Sequence, residues 1–206
     1  MIANYQADAI LEPHKAKLLE VVATAVQNYY SDDSSLKVNH SKGTRSSIIN
    51  DEMRAAARRV FGNVSGVAFT TKRGMFLLYV DNQIAIRFKK LTRRLLAQNH
   101  PTQQALAFSN QKQLGQQLGP LPGTPDPMTH VNVGYQMNAL DTGVSGIYAA
   151  CPNGEMLAWA IDLLHLGGAS GSGVPSPISP VSGSGPGVIL RTKDATKGGE
   201  KQKRGS

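Results

Sequence analysis

The sequence has little of several features that would narrow its function. It contains one cysteine, Cys151, among 206 residues, which excludes an internal disulfide framework and fits a reducing compartment. No apolar run reaches the ~20 residues that a membrane-spanning helix needs. Residues 1–15 lack a basic stretch followed by a long apolar one, so a secretory signal is not expected. We therefore expect a cytoplasmic protein that does not engage a membrane.

Motifs of catalytic, metal and cofactor sites are also missing. None of the five histidines belongs to an HExxH pattern, and no pair of them has close metal-ligand spacing supported by cysteine or glutamate. Cys151 precedes Pro152 and is interpreted as a small, partly buried hydrophobic residue, because a nucleophilic cysteine needs a nearby base. No glycine-rich phosphate loop is framed by a strand and a helix. The sequence thus predicts no catalytic residue, metal or cofactor, and a protein that is not an enzyme.

The excess of positive charge is divided between two parts of the chain. The net charge is +8 and the isoelectric point is near 9.7. Residues 167–206 carry a net +4, and so do residues 1–166. Of those last 40 residues, 21 are Gly, Ser or Pro, and they cannot bury enough apolar area to offset an ordering cost of ~1–2 kcal/mol per residue. We predict one α+β domain over residues 1–166 and a disordered tail over residues 167–206.

A β-hairpin over residues 74–90 is the clearest part of the predicted core. Residues 75–80 are apolar at every position, which predicts a strand that is covered on both faces. Asp81 and Asn82 tolerate the left-handed backbone of a tight turn. In the return strand, apolar and polar residues alternate, which predicts one buried and one solvent-exposed face. The buried set is Ile84, Ile86 and Phe88, and the exposed set is Gln83, Ala85, Arg87 and Lys89.

Two helices are predicted before the hairpin and two short ones after it. The first begins at Pro13 and runs to about residue 30, and the second runs from about Ser46 to Phe61, after a loop over residues 36–44. A short helix is expected to begin at Leu91, and another is expected to follow Thr102 as its cap. The four predicted helices thus span residues 13–30, 46–61, 91–100 and 102–111.

The remaining segments predict further strands. Alternating residues indicate strands near residues 64–70, 131–137, 147–149 and 157–163, and the last two should pair as a hairpin. Residues 115–130 contain four prolines and are expected to form a connector. About six strands with helices mainly before them favour an α+β fold with a largely antiparallel sheet.

The richest run of cations is the candidate partner-binding surface. It contains no acidic residue and comprises Arg87, Lys89, Lys90, Arg93 and Arg94. Such residues could speed the encounter with an acidic protein partner, contact nucleic-acid phosphates, or simply line a solvated face. The predicted second helix offers further arginines, but the segment before it is too long and polar for an ordinary helix-turn-helix. Those arginines are Arg45, Arg54 and Arg58.

A metal-dependent nuclease is a third and disfavoured alternative. Such a site places one acid at a strand end and an acid-x-Lys on the next strand, so that carboxylates hold Mg²⁺. Asp81 and Lys89 stand in two of these places, but the remaining acid would have to be at position 87. Arg87 is a cation and would repel the metal, and Glu52 on the preceding helix does not repair this.

Several segments together resemble a family of small bacterial and phage proteins. They are residues 86–91 (IRFKKL), residues 99–105 (NHPTQQA) with Phe108 and Gln111, and residues 121–123, 133–135 and 159–161. These proteins are often encoded beside ImmA/IrrE-type metallopeptidases with helix-turn-helix modules, in gene pairs that look like toxin–antitoxin systems. The resemblance covers about residues 46–163. It implies an antitoxin-like regulator that binds and neutralises a metallopeptidase-domain toxin; the alternative is a nucleic-acid-binding transcriptional regulator.

Overall fold

The computed structural model describes residues 1–31, 39–72, 74–98, 102–111 and 128–165. Within these residues there are four α-helices and six β-strands. The helices are α1 (Asn4–Leu11), α2 (Lys15–Ser31), α3 (Lys42–Phe61) and α4 (Gln103–Ser109), with a 3₁₀ turn, Glu12–His14, between α1 and α2. The strands are β1 (Val67–Lys72), β2 (Met75–Val80), β3 (Ile84–Leu91), β4 (Thr129–Met137), β5 (Val144–Asn153) and β6 (Met156–Asp162).

The six strands form one sheet whose spatial order follows the order of the chain. Neighbouring strands are antiparallel except β3 and β4, which are parallel. This joint runs from the pair Ile84–Thr129 to the pair Leu91–Gln136. The predicted α+β class with a largely antiparallel sheet is therefore confirmed. None of the helices in the described ranges has the length and apolar character needed to cross a bilayer.

The main apolar core lies between the three N-terminal helices and one face of the sheet. Leu18 and Val22 of α2 and Ile49 and Met53 of α3 are fully buried there. The strands contribute alternate residues, as their period of two requires. These include Phe76, Leu78, Val80, Ile84, Ile86, Phe88, Val131, Val133 and Tyr135. A smaller cluster on the opposite face packs Leu77, Tyr79 and Ala85 under Phe108 of α4, together with Met128.

The hairpin prediction is confirmed, but two residues of its predicted exposed face, Ala85 and Arg87, are buried. Asp81 and Asn82 adopt left-handed φ angles of 47° and 53°, as the tight turn demands. Ala85 is 2% exposed, because it lies in the cluster beneath Phe108 of α4. Arg87 is 8% exposed, with its guanidinium carbon 5.0 Å from the centre of the Phe108 ring. The alternation in β3 was real, but a helix covers the face that was expected to contact water.

The predicted helices need three corrections. Helix precedes Pro13 as well as following it, and Pro13 itself lies in the 3₁₀ turn. The helix α3 begins at Lys42, inside the expected loop, because the Ser41 hydroxyl accepts from the Thr44 amide at 3.1 Å and caps it. No helix begins at Leu91, which ends β3; the Thr92 amide instead donates to the Leu96 carbonyl at 2.8 Å in a turn.

Other predictions stand as made or lie beyond the described residues. Thr102 caps α4 as expected, since its hydroxyl accepts from the Ala105 amide at 3.2 Å. The β5–β6 hairpin is also confirmed. Residues 115–127 of the predicted connector lie outside the described residues, and its last two positions, Thr129 and His130, belong to β4. The predicted tail at 167–206, and with it the domain boundary at residue 166, lies outside them too.

The parallel joint predicts a severe effect of adding one methyl group. Gly134 of β4 stands opposite Lys89, and a Cβ there would lie 1.6 Å from the Lys89 carbonyl oxygen. We expect Gly134→Ala to lower the free energy of unfolding by about 1–3 kcal/mol or more, because backbone atoms must move apart. Urea denaturation measures the change.

The matched control is Gly43→Ala in the first turn of α3. Its nearest neighbour would be the Ser41 hydroxyl oxygen at 3.7 Å, an ordinary contact. Alanine is favoured over glycine by about 0.5–1 kcal/mol inside a helix, so this variant should be as stable as the parent or slightly more so. Equal stability of the two variants would show that the close approach at Gly134 carries no energetic weight.

Candidate cationic binding site

The predicted cations lie on a strand that separates from one of its neighbours. The strands β2 and β3 pair only between Leu78–Ile86 and Val80–Ile84. Beyond Ile86, β3 stays paired with β4, while β2 stays paired with β1. The side chain of Asn50 in α3 reaches this opening: in its hydrogen-bonding orientation its amide donates to the Phe88 carbonyl at 2.7 Å. A side chain of α3 therefore hydrogen-bonds to the β3 backbone at the point where the pairing of β3 with β2 ends.

The opening between β2 and β3 forms a cleft of about 200 Å³, which we call the cationic cleft. Its polar lining residues come from α3, from β3 and from the start of α4. No acidic side chain is among the described residues that line it. The polar set is Asn50, Arg54, Arg87, Lys89, Thr102 and Gln104, and the apolar set includes Met75, Phe76 and Phe88.

Arg87 is the most buried cation of the cleft. Its side chain stacks on Phe108, and its Nη1 atom is buried with no hydrogen-bond partner among the described residues. Burial, and next the positive charge of Arg54, lowers the pKa of Arg87 to about 10. A guanidinium that is both desolvated and unpartnered costs free energy, since charged groups are usually buried only when paired.

Lys89 stands two residues further along the same face of β3 and is partly buried. Burial, followed by the charges of Arg87 and Arg54, lowers the pKa of Lys89 to about 8. Arg54 itself, from α3, has one exposed acidic neighbour, Asp51, at 3.4 Å. Three cations from two elements thus crowd one cleft, and the charge of Arg54 disfavours the charged forms of both Arg87 and Lys89.

Lys90 points to the opposite face of the sheet and is paired. Its ammonium donates to Asp141 Oδ1 at 3.1 Å. Arg45 and Lys42 of α3 approach Oδ2 of the same carboxylate at 3.5 and 3.7 Å. Burial alone would raise the pKa of Asp141, but the hydrogen bond from Lys90 and the charges of Lys90, Lys42 and Arg45 lower it below its ordinary value. This cluster is a structural tie between α3, β3 and the β4–β5 connection.

Arg93 and Arg94 lie in the turn after β3 and are exposed. Neither makes an ion pair or hydrogen bond within the described ranges of the chain. The turn itself is fixed, because the Thr92 amide bonds to Leu96 at 2.8 Å and the Gln98 amide bonds to the Lys90 carbonyl at 3.1 Å. We call these two residues the cationic turn. The five predicted surface residues therefore occupy three separate environments rather than one face.

The sequence does not reveal how Arg54 relates to the β3 cations. Arg54 lies on the same helix as Arg45 and Arg58, yet Arg45 bonds to Asp141 and the Arg58 guanidinium lies 5.0 Å from the Phe76 ring centre. The spacing of three arginines along a helix does not report which one reaches a gap in a sheet. The absence of any acid between Arg87 and Arg94 was the one available signal.

Cys151 and its surroundings are typical of a structural position in the sheet. Cys151 is fully buried, and burial raises the pKa of its thiol to about 12. The Gln111 side chain lies across β4 and β5, donating to the carbonyls of Pro152 at 2.7 Å and His130 at 2.9 Å. Burial lowers the pKa of His130, whose ring stacks on Phe108 at 4.6 Å. A thiol whose pKa is raised in this way is mostly protonated near neutral pH and is a weak nucleophile.

Metal-ligating side chains do not gather in the described part of the chain. No group of three or more His, Cys, Asp or Glu residues there could hold a metal ion. His40 instead contacts the Tyr29 hydroxyl at 3.1 Å, and His165 contacts Asp162 at 3.0 Å.

No protein-family model matches the chain, and no curated protein or solved structure is significantly similar to it.

The Asp141 cluster predicts a pH-dependent loss of stability. Asp141→Asn should lower the free energy of unfolding at pH 7 by about 1–3 kcal/mol, because three cations lose their carboxylate partner. Asparagine also tolerates the left-handed φ of 58° at this position, so the backbone is preserved.

The pH dependence of the free energy of unfolding shows whether Asp141→Asn acts through lost charge or through altered packing. Because the folded pKa of Asp141 is lowered, its contribution is present above the unfolded pKa and is lost as pH falls through the folded pKa. Denaturation curves of the two proteins should therefore converge in acid. A constant difference down to the lowest pH at which both fold would contradict an ionic origin.

The lowered pKa of Lys89 predicts that this residue destabilises the folded chain at neutral pH, in contrast to Asp141. Between pH 8 and its ordinary pKa of 10.5 the unfolded chain binds more protons at Lys89 than the folded chain does, so stability should rise with pH there. Lys89→Met, which keeps an unbranched apolar stem, should raise the free energy of unfolding at pH 7 by about 1–3 kcal/mol. Chemical denaturation at pH 7 and pH 10 measures this, and the gain should shrink at the higher pH. A variant that is less stable than the parent at pH 7 would show that the charge of Lys89 is well accommodated.

Proposed function

We propose that the protein is a non-enzymatic, partner-binding regulator of the antitoxin type that neutralises a metallopeptidase-domain toxin. The observation that carries the proposal is the cationic turn, where two adjacent arginines are exposed on a fixed backbone without a described partner. The other cations of the predicted surface are buried in the cleft or tied to Asp141. The resemblance of residues 46–163 to proteins encoded beside such metallopeptidases supplies the class of partner.

Two exposed arginines on a fixed turn favour an acidic protein surface as their target. Charges at the rim of an interface act mainly on encounter, because complementary potentials raise the association rate and penalise wrong partners. Arginine also presents a planar fork that pairs with carboxylates through two hydrogen bonds. A turn held by backbone hydrogen bonds keeps the backbone of both arginines in place before binding, so that mainly side-chain freedom is lost on association.

A nucleic-acid-binding regulator is the second candidate, since the same two arginines could contact phosphates. Its weakness is that α3 does not present its arginines together: Arg45 is committed to Asp141 and Arg58 to Phe76. A gel shift titrated with salt separates the two candidates, because phosphate contacts weaken steeply as salt rises. The absence of any retardation at low salt would end the second candidate.

The test of the first candidate uses the product of the adjacent gene. Co-expression with this protein should relieve any growth arrest that the neighbour causes, and the two purified proteins should bind. Arg93→Glu combined with Arg94→Glu should lower the association rate tenfold or more at low salt, with a smaller effect at high salt. Surface plasmon resonance measures the rates.

The matched control is Arg59→Glu, which reverses a charge at an exposed position of α3 outside the cleft and the turn. It should bind like the parent protein, and circular dichroism should show that all variants fold. Equal association rates for the double variant and the control would exclude the cationic turn as the contact. A neighbouring gene product that is harmless and does not bind would overturn the antitoxin proposal itself.

A further inference from the structure

The cationic cleft combines features that a purely structural cluster would avoid. Arg54, Arg87 and Lys89 line a space of about 200 Å³, and none of the described lining residues is acidic. Arg87 is 8% exposed, and in the part of the chain that the structure describes its Nη1 has no hydrogen-bond partner. On the other face of the same strand, Lys90 is neutralised by Asp141. The chain therefore supplies a counter-charge for Lys90 of β3, and Asp51 supplies one for Arg54, while the described residues supply none for Arg87 or Lys89.

We propose that the cationic cleft binds the phosphate group of a small molecule, either inorganic phosphate or a phosphate monoester. The site is distinct from the cationic turn, so the inference goes beyond the proposed function. A bound dianion would give the Arg87 guanidinium the acceptor that it lacks and would stabilise all three cations at once.

The size and charge of the cleft favour phosphate over bulkier or less charged ligands. A volume of about 200 Å³ lies below the ~300–1,000 Å³ of pockets for drug-sized molecules, yet it is several times the ~30 Å³ of a water molecule. A carboxylate brings one negative charge to the three cations, whereas a phosphate monoester brings about 1.5–2 at pH 7. Tetrahedral oxygens can also accept from donors that converge from several directions.

The donors of the cleft come from three elements and suit such an anion. Arg54 comes from α3, Arg87 and Lys89 come from β3, and Gln104 comes from α4. Thr102, just before α4, accepts from the Ala105 amide through its oxygen, so its own hydroxyl proton can point elsewhere. Arginine forks and a lysine ammonium are the side chains that proteins use most for phosphate.

Protonation of Lys89 provides a second signature. The groups that face it are Arg87 on its own strand and Arg54 from α3, while Thr102 and Gln104 near α4 and Met75 and Phe76 of β2 do not titrate. Between pH 7 and pH 9 a phosphate monoester such as glycerol phosphate is already dianionic, since its second pKa is about 6. Over that range its affinity for the cleft should fall as Lys89 loses its proton.

The experiment titrates the full chain with inorganic phosphate, and separately with glycerol phosphate, at constant ionic strength. Isothermal calorimetry and ³¹P NMR follow binding, and the melting temperature should rise with phosphate but not with an equivalent amount of chloride. Tighter binding of the inorganic ion assigns the free anion as the ligand, and tighter binding of glycerol phosphate assigns an esterified one. Either result supports the site, and no phosphate-specific effect overturns it.

Variants locate the anion within the protein. Lys89→Met and Arg54→Gln should each weaken phosphate binding tenfold or more, and Lys89→Met should lose the pH dependence between pH 7 and pH 9. Arg87→Gln should do the same; if burial of the glutamine prevents folding, the other two variants decide. The control Arg59→Gln, outside both the cleft and the cationic turn, should bind phosphate like the parent. Phosphate affinity that is unchanged in both Lys89→Met and Arg54→Gln would place the anion elsewhere and overturn the proposal.

Discussion

The parallel pairing of β3 with β4 is the constraint on which the rest of the structure depends. It joins an antiparallel half, β1 to β3, to another antiparallel half, β4 to β6. The two backbones meet closely at Gly134, where no side chain larger than hydrogen fits against Lys89. Because β3 follows β4 beyond Ile86, it leaves β2, and Asn50 of α3 takes over the Phe88 carbonyl. The cleft is thus a product of how the sheet is joined.

That geometry also explains why neighbouring cations of one strand differ so much. Successive residues of a strand face opposite sides of the sheet, so Lys89 and Lys90 meet different surroundings. Lys90 finds Asp141 on the side of the N-terminal helices, whereas Arg87 and Lys89 meet Phe108, Arg54 and each other. The lowered pKa values of Arg87 and Lys89 express a free-energy cost in the folded chain. Natural proteins accept such costs mainly where a function needs the residue.

Local signals in the sequence were enough for several elements but not for their assembly. The apolar run of β2, the Asp81–Asn82 turn and the Thr102 cap each depend on a few adjacent residues, and each was predicted correctly. The burial of Arg87 depends on α4 folding back across β3, which no periodicity within β3 can report. The same reason explains the false helix at Leu91, since the residues after it are held by backbone bonds of a turn. The sequence presents the five cations as one surface because the pairing of Lys90 with Asp141 and the burial of Arg87 against Phe108 are tertiary properties.

The order of the strands has a consequence for how the chain reaches its native state. Within each half, strands that pair are also neighbours along the chain, so their contacts close only short loops. The joint is different, because Ile84 must find Thr129 across the whole crossover segment, and the entropy of closing that long loop is lost before any pairing rewards it. Such a topology favours early formation of the two antiparallel halves and late formation of the parallel β3–β4 pairing. The cleft beside that pairing then exists only once folding is nearly complete.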